Sequence, residues 1–257
     1  MPPRKKHKSA PAVSVPDRIG ELPDCILQHV LSFLPAQAAV RTCVLARRWR
    51  HLWRSTRALR IVNLHDEIQY IRKFVDHLLI LRERTDLDTV EIKFSCEYWE
   101  EDVAYVNLWI RFAVMHNVRV LTLHVSHRYL HLHDLPLASR HLTTLDLYGL
   151  TLEKNVLGFA SCPALENLKM SLCEIHAGRI SSRSLKHLTI TDCRSDLDDC
   201  RGPNHKVEIK GCYSSTERSS AISEHLNIVE IKCNVVDEKI LEVMKFLEAF
   251  NIRFSSG

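Results

Sequence analysis

Glycine is scarce in this chain: there are seven in 257 residues, and none of them cluster. A phosphate-cradling loop, a dinucleotide fingerprint and a GxSxG nucleophile elbow all need closely spaced glycines, and none of the three patterns occurs. No run of 18 apolar residues is present, so the sequence offers no candidate membrane-spanning helix. No CxxC pair occurs, which removes the usual zinc-ribbon and zinc-finger spacings. Neither sign of charge dominates. The 35 basic and 31 acidic residues are interspersed, a balance that argues against a protein that coats nucleic acid. The basic, Pro-rich N-terminus lacks the apolar stretch of a secretory signal. The nine cysteines are therefore expected as reduced thiols in the nucleus or cytoplasm.

What is present suffices for a real core. The chain is 46% hydrophobic and 26% charged, which fits a small module plus one larger domain. Residues 1–15 have no periodicity and read as a disordered tail. Within them Arg4, Lys5, Lys6 and Lys8 form a basic cluster, equally consistent with a nuclear localisation signal and with a plain solvated tail.

The densest apolar stretch is LPDCILQHVLSFLPAQAAVRTCVLARRWRHLW, from Leu22 to Trp53. Ile26, Leu27, Val30, Leu31 and Leu34 recur at spacings of three and four, the mark of one helical face. Pro23 suits the first turn, where its missing N–H costs nothing. Pro35 stops the helix, because its ring disfavours the α region for Leu34. A second helix can hold Ala38, Val40, Cys43 and Val44, and a third Ala46, Trp49, Leu52 and Trp53. Three short helices cannot bury this much apolar surface among themselves. The surplus must face the rest of the chain or another protein.

LPDCILQHVLSFLP followed by AVRTCVLARRWRHLW closely resembles the F-box of plant F-box proteins, over the whole motif. The resemblance implies a helical module, residues 16–56, that docks onto the Skp-type adaptor of a cullin–RING ubiquitin ligase. By matching positions it assigns Leu22, Pro23, Ile26, Leu27, Val30 and Leu31 to the adaptor-facing group, with Leu34 and Pro35 at the turn. Val44, Leu45 and Trp49 also match apolar family positions, some of which serve the module's own core. Cys25 stands where the family often has an acidic residue, a departure expected to alter affinity slightly.

Beyond the module, Arg60 to Leu64 reads as a short strand. Asp66 to Arg84 reads as an amphipathic helix capped by Asp66, with Ile68, Ile71, Phe74, Val75, Leu78 and Leu81 as its stripe. A repeat of the form L-x-x-L-x-L-x-x-N/C then begins. Units start at Leu87, Val118, Leu142, Leu165, Leu185, Asn204 and Leu226, between 19 and 31 residues apart; the one from Asn204 is weak and holds Val207 and Ile209. The longest gap leaves room for a helix from Val106 to Met115, with Trp109, Ile110 and Met115 covering the outer layer. The ninth positions are Ser95, Ser126, Leu150, Cys173, Cys193, Cys212 and Asn234. In such a ladder this side chain points inward to backbone groups that need partners. Leu150 breaks the pattern, so its turn must be satisfied in another way.

The segment FVDHLLILRERTDLDTVEIKF resembles plant F-box proteins with leucine-rich repeats. HLNIVEIKCNVVDEKILEVMKFLEAF resembles the FBD segment that closes many of them. The implied fold is α+β: a three-helix F-box, an α/β leucine-rich-repeat solenoid over residues 57–235, and an FBD-like cap over residues 236–257. The cap is a helix from Val236 to Phe250, with Asp237 as its N-cap and Ile240, Leu241, Met244 and Leu247 as its stripe. A solenoid needs such a cap to cover its last unit.

Other clusters carry less. His124, His127, His131 and His133 gather near Asp134, but their spacing fits no standard zinc pattern. Cys173, Cys193 and Cys212 fall on successive turns and invite a metal or disulfide reading; the ladder position already explains their spacing. Asp196, Asp198 and Asp199 lack the ligand spacing and the Glu of an EF-hand. No cofactor is expected.

The resemblance implies a non-catalytic substrate receptor of an SCF-type ubiquitin ligase, with the Skp adaptor and its cullin as partners on one side and a target protein on the other. The rival readings are an F-box/repeat scaffold without a ubiquitination role, a hydrolase or metal enzyme on a repeat scaffold, and a nucleic-acid-binding nuclear protein. Absent motifs argue against the second and mild net charge against the third. If the template leucines face inward, the residues between and after them line the open sheet face. These are Thr122 and His124, Asp146 and Tyr148, Lys169 and Ser171, Thr189 and Thr191, Glu208 and Lys210, Glu230 and Lys232. His124, Asp146, Tyr148, Lys169, Lys210 and Lys232 are the candidate target contacts, with Tyr148 the best single anchor.

Overall fold

The computed structural model describes residues 19–63, 68–94, 102–126, 130–132, 137–153, 157–176, 180, 182–195 and 228–232. Outside them lie the basic tail, Asp66, Ser95, His127, His133, Asp134, the Asp196–Asp199 segment, the unit expected from Asn204 to Cys212 with Glu208 and Lys210, Asn234, and the segment expected to form a C-terminal helix.

The chain opens with three short helices, α1 (Asp24–Leu31), α2 (Ala36–Arg41) and α3 (Trp49–Leu52). Pro23 sits just ahead of α1 in an extended conformation, and Pro35 does the same for α2. Pro35 thus both ends one helix and starts the next, which keeps the connection to four residues. Ser32 closes α1, its hydroxyl donating to the His29 carbonyl at 2.6 Å. Cys43 and Val44 fall in a 3₁₀ turn, Thr42–Val44, rather than in a continued α-helix. A second such turn, Trp53–Ser55, follows α3.

The remaining elements form two parallel sheets. The first contains β1 (Ala58–Asn63), β2 (Thr89–Phe94), β3 (Val120–Val125), β5 (Thr144–Tyr148), β7 (Asn167–Ser171), β9 (His187–Thr191) and β11 (Ile228–Lys232), side by side in that order. The second contains β4 (Leu130–Leu132), β6 (Leu150–Leu152), β8 (Glu174–Ile175) and β10 (Arg194–Ser195). From β3 to β10 the chain alternates between the sheets. The first two crossovers instead carry helices α4 (Ile68–Leu81) and α5 (Asp102–Met115). Parallel neighbours need such crossovers, because a tight hairpin cannot join them.

Register explains the spacing of the leucines. Leu59, Val90, Leu121, Leu145, Leu168, Leu188 and Val229 lie opposite one another across the first sheet. Ile61, Ile92, Leu123, Leu147, Met170, Ile190 and Ile231 form the second row. The unit-opening residues Leu87, Val118, Leu142, Leu165 and Leu185 are fully buried. Each buried leucine contributes roughly 1.5–3 kcal/mol relative to an exposed one, so a one-residue slip would be very costly. From β1 to β9 the rows merge into one cluster with Leu150 and Leu152 of β6, with Ile71, Val75 and Leu78 of α4, and with Val106, Trp109, Ile110 and Ala113 of α5.

Three expectations need correction. The strand expected at Arg60–Leu64 begins at Ala58 and is already the first strand of the large sheet, so the register rows start one unit earlier. The strand β11 pairs directly with β9, and the weak unit expected at Val207 and Ile209 lies outside the described residues. Met115 is 79% exposed rather than covering the core. It lies six residues past Trp109, about 240° around the helix. Leu81, the last residue of α4, is also largely exposed.

The turn at Leu150 is satisfied by its neighbour. Gly149, at φ 67°, occupies the left-handed position that Leu172 and Asp192 take in the next two units. Its N–H donates to the Ser171 carbonyl at 3.0 Å, as Leu172 donates to Thr191 at 2.9 Å. A Cβ on Gly149 would lie 2.0 Å from the Val125 carbonyl oxygen, so no larger residue fits. Leu150 itself is buried and pairs with Leu130 in the second sheet.

Candidate functional site

The helix α1 has two apolar rows. Leu27 and Leu31 point inward, each 1% exposed, and join Ala36, Ala39, Trp49, Leu52 and Trp53. Ile26 and Val30, one position earlier in each pair, lie about 100° around the helix and are close to half exposed. Leu22 and Phe33 continue the exposed set at either end of α1, and Val44 and Leu45 protrude from the turn after α2. The sequence stripe was wide enough to cover both rows, and spacing alone could not divide it.

Of the adaptor-facing set, then, Leu22, Pro23, Ile26, Val30, Pro35, Val44 and Leu45 are exposed, and Leu34 is partly buried. Leu27, Leu31 and Trp49 are corrected to the module's own core, where they are already covered. Ile19 and Phe33 are exposed apolar residues that the sequence reading left out. An exposed phenylalanine at the end of an amphipathic helix was the available signal for the second.

A polar seam ties this module to the sheets. Arg82, just past α4, donates to the Trp53 carbonyl at 3.4 Å and to Thr56 Oγ1 at 3.1 Å, and also to the Thr56 carbonyl. The N–H of Glu83 donates to the Arg54 carbonyl at 3.2 Å, and the Ser55 hydroxyl to the Glu83 carboxylate at 2.5 Å. Burial lowers the Arg82 pKa to about 10, which leaves the guanidinium charged at neutral pH. Farther along the seam, Arg60 of β1 donates to the Ser32 carbonyl at 3.0 Å.

The open face of the first sheet carries two polar rows. One row is Arg60, Glu91, Thr122, Asp146, Lys169, Thr189 and Glu230; the other is Val62, Lys93, His124, Tyr148, Ser171, Thr191 and Lys232. Glu91 pairs with Arg60 and, at 2.5 Å, with Lys93. Burial pushes the Glu91 carboxyl up, but the hydrogen bonds from Lys93 and Arg60 outweigh it and hold it below the usual range. Asp146 and Lys169 approach to 3.6 Å. The rings of His124 and Tyr148 stack at 3.8 Å between centroids, 24° from parallel. Burial, aided by the Lys93 charge, lowers the His124 pKa, so this ring is neutral at physiological pH.

Asp146 with Lys169, and His124 with Tyr148, are thus brought together across neighbouring strands. Lys232 is placed in the second row opposite Thr191, while Lys210 lies outside the described residues. Arg60, Glu91 and Lys93 also belong to this face, and the sequence reading omitted them. The alternation rule applied to the unit at Leu87 would have found the last two. The described ninth-position cysteines follow the ladder expectation. Cys173 Sγ lies 3.6 Å from the Leu147 carbonyl and 3.4 Å from that of Ser171, and Cys193 Sγ lies 3.5 Å from that of Thr191. Among the described residues, no three His, Cys, Asp or Glu side chains come together in a way that could hold a metal ion.

Comparison with known proteins puts this geometry in context. The F-box domain family model matches residues 19–60. An F-box/LRR-repeat protein of Arabidopsis thaliana, number 13, is 30% identical over 72% of this chain and 48% of its own length. An F-box/FBD/LRR-repeat protein of the same plant is 31% identical over 76% of this chain and 46% of its own. A further Arabidopsis F-box/LRR-repeat protein is 28% identical over 93% of this chain and 90% of its own. The chain thus spans about half the length of the first two relatives. No solved structure matches the chain.

Proposed function

This chain carries an F-box domain and is a relative of the plant F-box/LRR-repeat proteins, and on that premise we propose that it is the substrate-recognition subunit of an SCF-type ubiquitin ligase. The helical module holds a Skp-type adaptor and, through it, a cullin. The sheets form a leucine-rich-repeat solenoid whose open face holds a target protein. The chain performs no chemistry of its own. It contributes proximity, keeping target lysines near an enzyme that carries ubiquitin.

The observation that carries this reading is the outward row of α1. Ile26 and Val30 are about half exposed on a module whose core is already complete without them. An adaptor that covers them removes apolar surface from water at about 25 cal/mol per Å². Changing Val30→Lys places a charge in that contact without disturbing Leu27 or Leu31. Pull-down of a Skp-type adaptor should succeed with the wild type and fail with this variant, at unchanged thermal stability. Equal recovery of adaptor by both proteins overturns the assignment.

Target binding is tested separately. Tyr148→Ala combined with Lys169→Ala removes the aromatic and the cation from the middle of the open face, and adaptor recovery should not change. Partners other than the ligase subunits should be lost from the double variant. Their full retention would move recognition away from this face.

A further inference from the structure

We infer that Cys173 and Cys193 form an oxidation site: a thiol pair on adjacent rungs that a peroxide closes into a disulfide. Ser171 and Thr191, which end β7 and β9, are register partners. Each is followed by a left-handed residue, Leu172 at φ 48° or Asp192 at φ 49°, and then by the cysteine. The two turns therefore repeat the same conformation one strand apart. That spacing is about 4.8 Å, inside the Cα separation of about 4.4–6.8 Å that a disulfide bridges. The sulfurs take equivalent positions, 3.4 and 3.5 Å from the carbonyl two residues back.

The two environments divide the work. Cys173 is 1% exposed, whereas Cys193 is half-buried and within reach of a small oxidant. The neighbouring Cys193 thiol, followed by burial, raises the Cys173 thiol. The neighbouring Cys173 thiol lowers Cys193 against the opposing effect of burial, so the more exposed Cys193 ionises first. The Cys193 thiolate attacks one oxygen of hydrogen peroxide and the O–O bond breaks. The product is a Cys193 sulfenic acid, and the second oxygen leaves as water once protonated. The Cys173 sulfur then attacks the Cys193 sulfur. The S–O bond breaks, and the hydroxyl leaves with the Cys173 proton as a second water. Two thiols lose two electrons in all, and one peroxide gains them. The bridge fastens the β7 and β9 turns two residues beyond Ser171 and Thr191 of the open face.

The test uses the full chain as wild type, C173S and C193S, each treated with hydrogen peroxide in native buffer. Free thiols are then alkylated, and the protein is digested with trypsin for mass spectrometry. The wild type should yield peptide 170–179 linked to peptide 187–194, two hydrogens lighter than the sum of the two. C173S should instead accumulate a Cys193 sulfenic acid that dimedone traps. C193S should show at least tenfold less oxidation at Cys173. Circular dichroism establishes that both variants are folded, and unfolding the wild type in urea before treatment should abolish the preference for this pair. The inference is overturned if Cys193 advances to sulfinic acid without the link, if it pairs preferentially with another cysteine, or if both thiols stay reduced while the exposed Cys25 reacts.

Discussion

Arg82 donates to both the hydroxyl and the backbone carbonyl of Thr56, joining the end of α4 to the last residue of the helical module. Thr56 is 3% exposed, and its hydroxyl also reaches back to the Trp53 carbonyl at 3.0 Å. These bonds set the orientation of the module on the sheets. Changing Arg82→Met leaves buried carbonyls without donors, at about 1–3 kcal/mol for each one orphaned. Chemical denaturation should show a loss of that order. Hydrogen exchange should accelerate first at residues 53–57, while protection in the middle of the large sheet stays unchanged.

The two rows of α1 should separate stability from docking. Leu31→Ala empties a fully enclosed site and should cost about 2–5 kcal/mol of module stability. Ile26→Ala removes a half-exposed side chain and should change stability by less than about 1 kcal/mol. It should nevertheless weaken adaptor binding. Calorimetric unfolding and an adaptor titration on the same two proteins check both halves, and equal destabilisation by both changes would contradict the division of rows.

Gly149→Ala should be among the most damaging single changes outside the apolar core. The added Cβ meets the Val125 carbonyl oxygen at 2.0 Å on a backbone already at φ 67°. A loss of about 2–4 kcal/mol is expected, visible as a lower denaturation midpoint, because both strain and collision act. Leu172→Gly, at the equivalent turn, should be neutral or mildly stabilising, since φ 48° strains the leucine that stands there.

His124 makes stability depend on pH. Its folded pKa lies below its ordinary value because burial and the Lys93 charge disfavour the cation. The unfolded chain therefore binds the proton more readily, and stability rises with pH through the window between the two pKa values. The contribution is complete above the unfolded value of about 6.5 and is lost as pH falls through the folded one. The midpoint of the wild type should drop between about pH 7 and pH 5 more than that of His124→Asn. Parallel curves for the two proteins would exclude this role.

The leucines of five units fall on two register rows because an alternating strand has only one way to bury them, and that period is visible in one dimension. The same alternation places His124, Asp146, Tyr148 and Lys169 on one face. It could not show that Asp146 and Lys169 pair, or that His124 stacks on Tyr148, because contacts across strands depend on register between segments over twenty residues apart. The omission of Arg60 has the same origin. The strand β1 has no repeat unit before it, so only its pairing with β2 reveals its place.

By itself the sequence determined the helical module, the repeat period, the inward rows and the ladder cysteines, since each is a matter of local spacing and residue type. Tertiary structure decided which half of the α1 stripe is free, because Leu27 and Leu31 are claimed by Trp49, Leu52 and Trp53 from farther along the chain. It also decided that Gly149 does for its turn what Leu172 and Asp192 do for theirs, and that Arg82 locks the module to the sheets. Those outcomes turn on which buried donors and apolar surfaces meet across the fold, and periodicity along a single chain carries no record of such meetings.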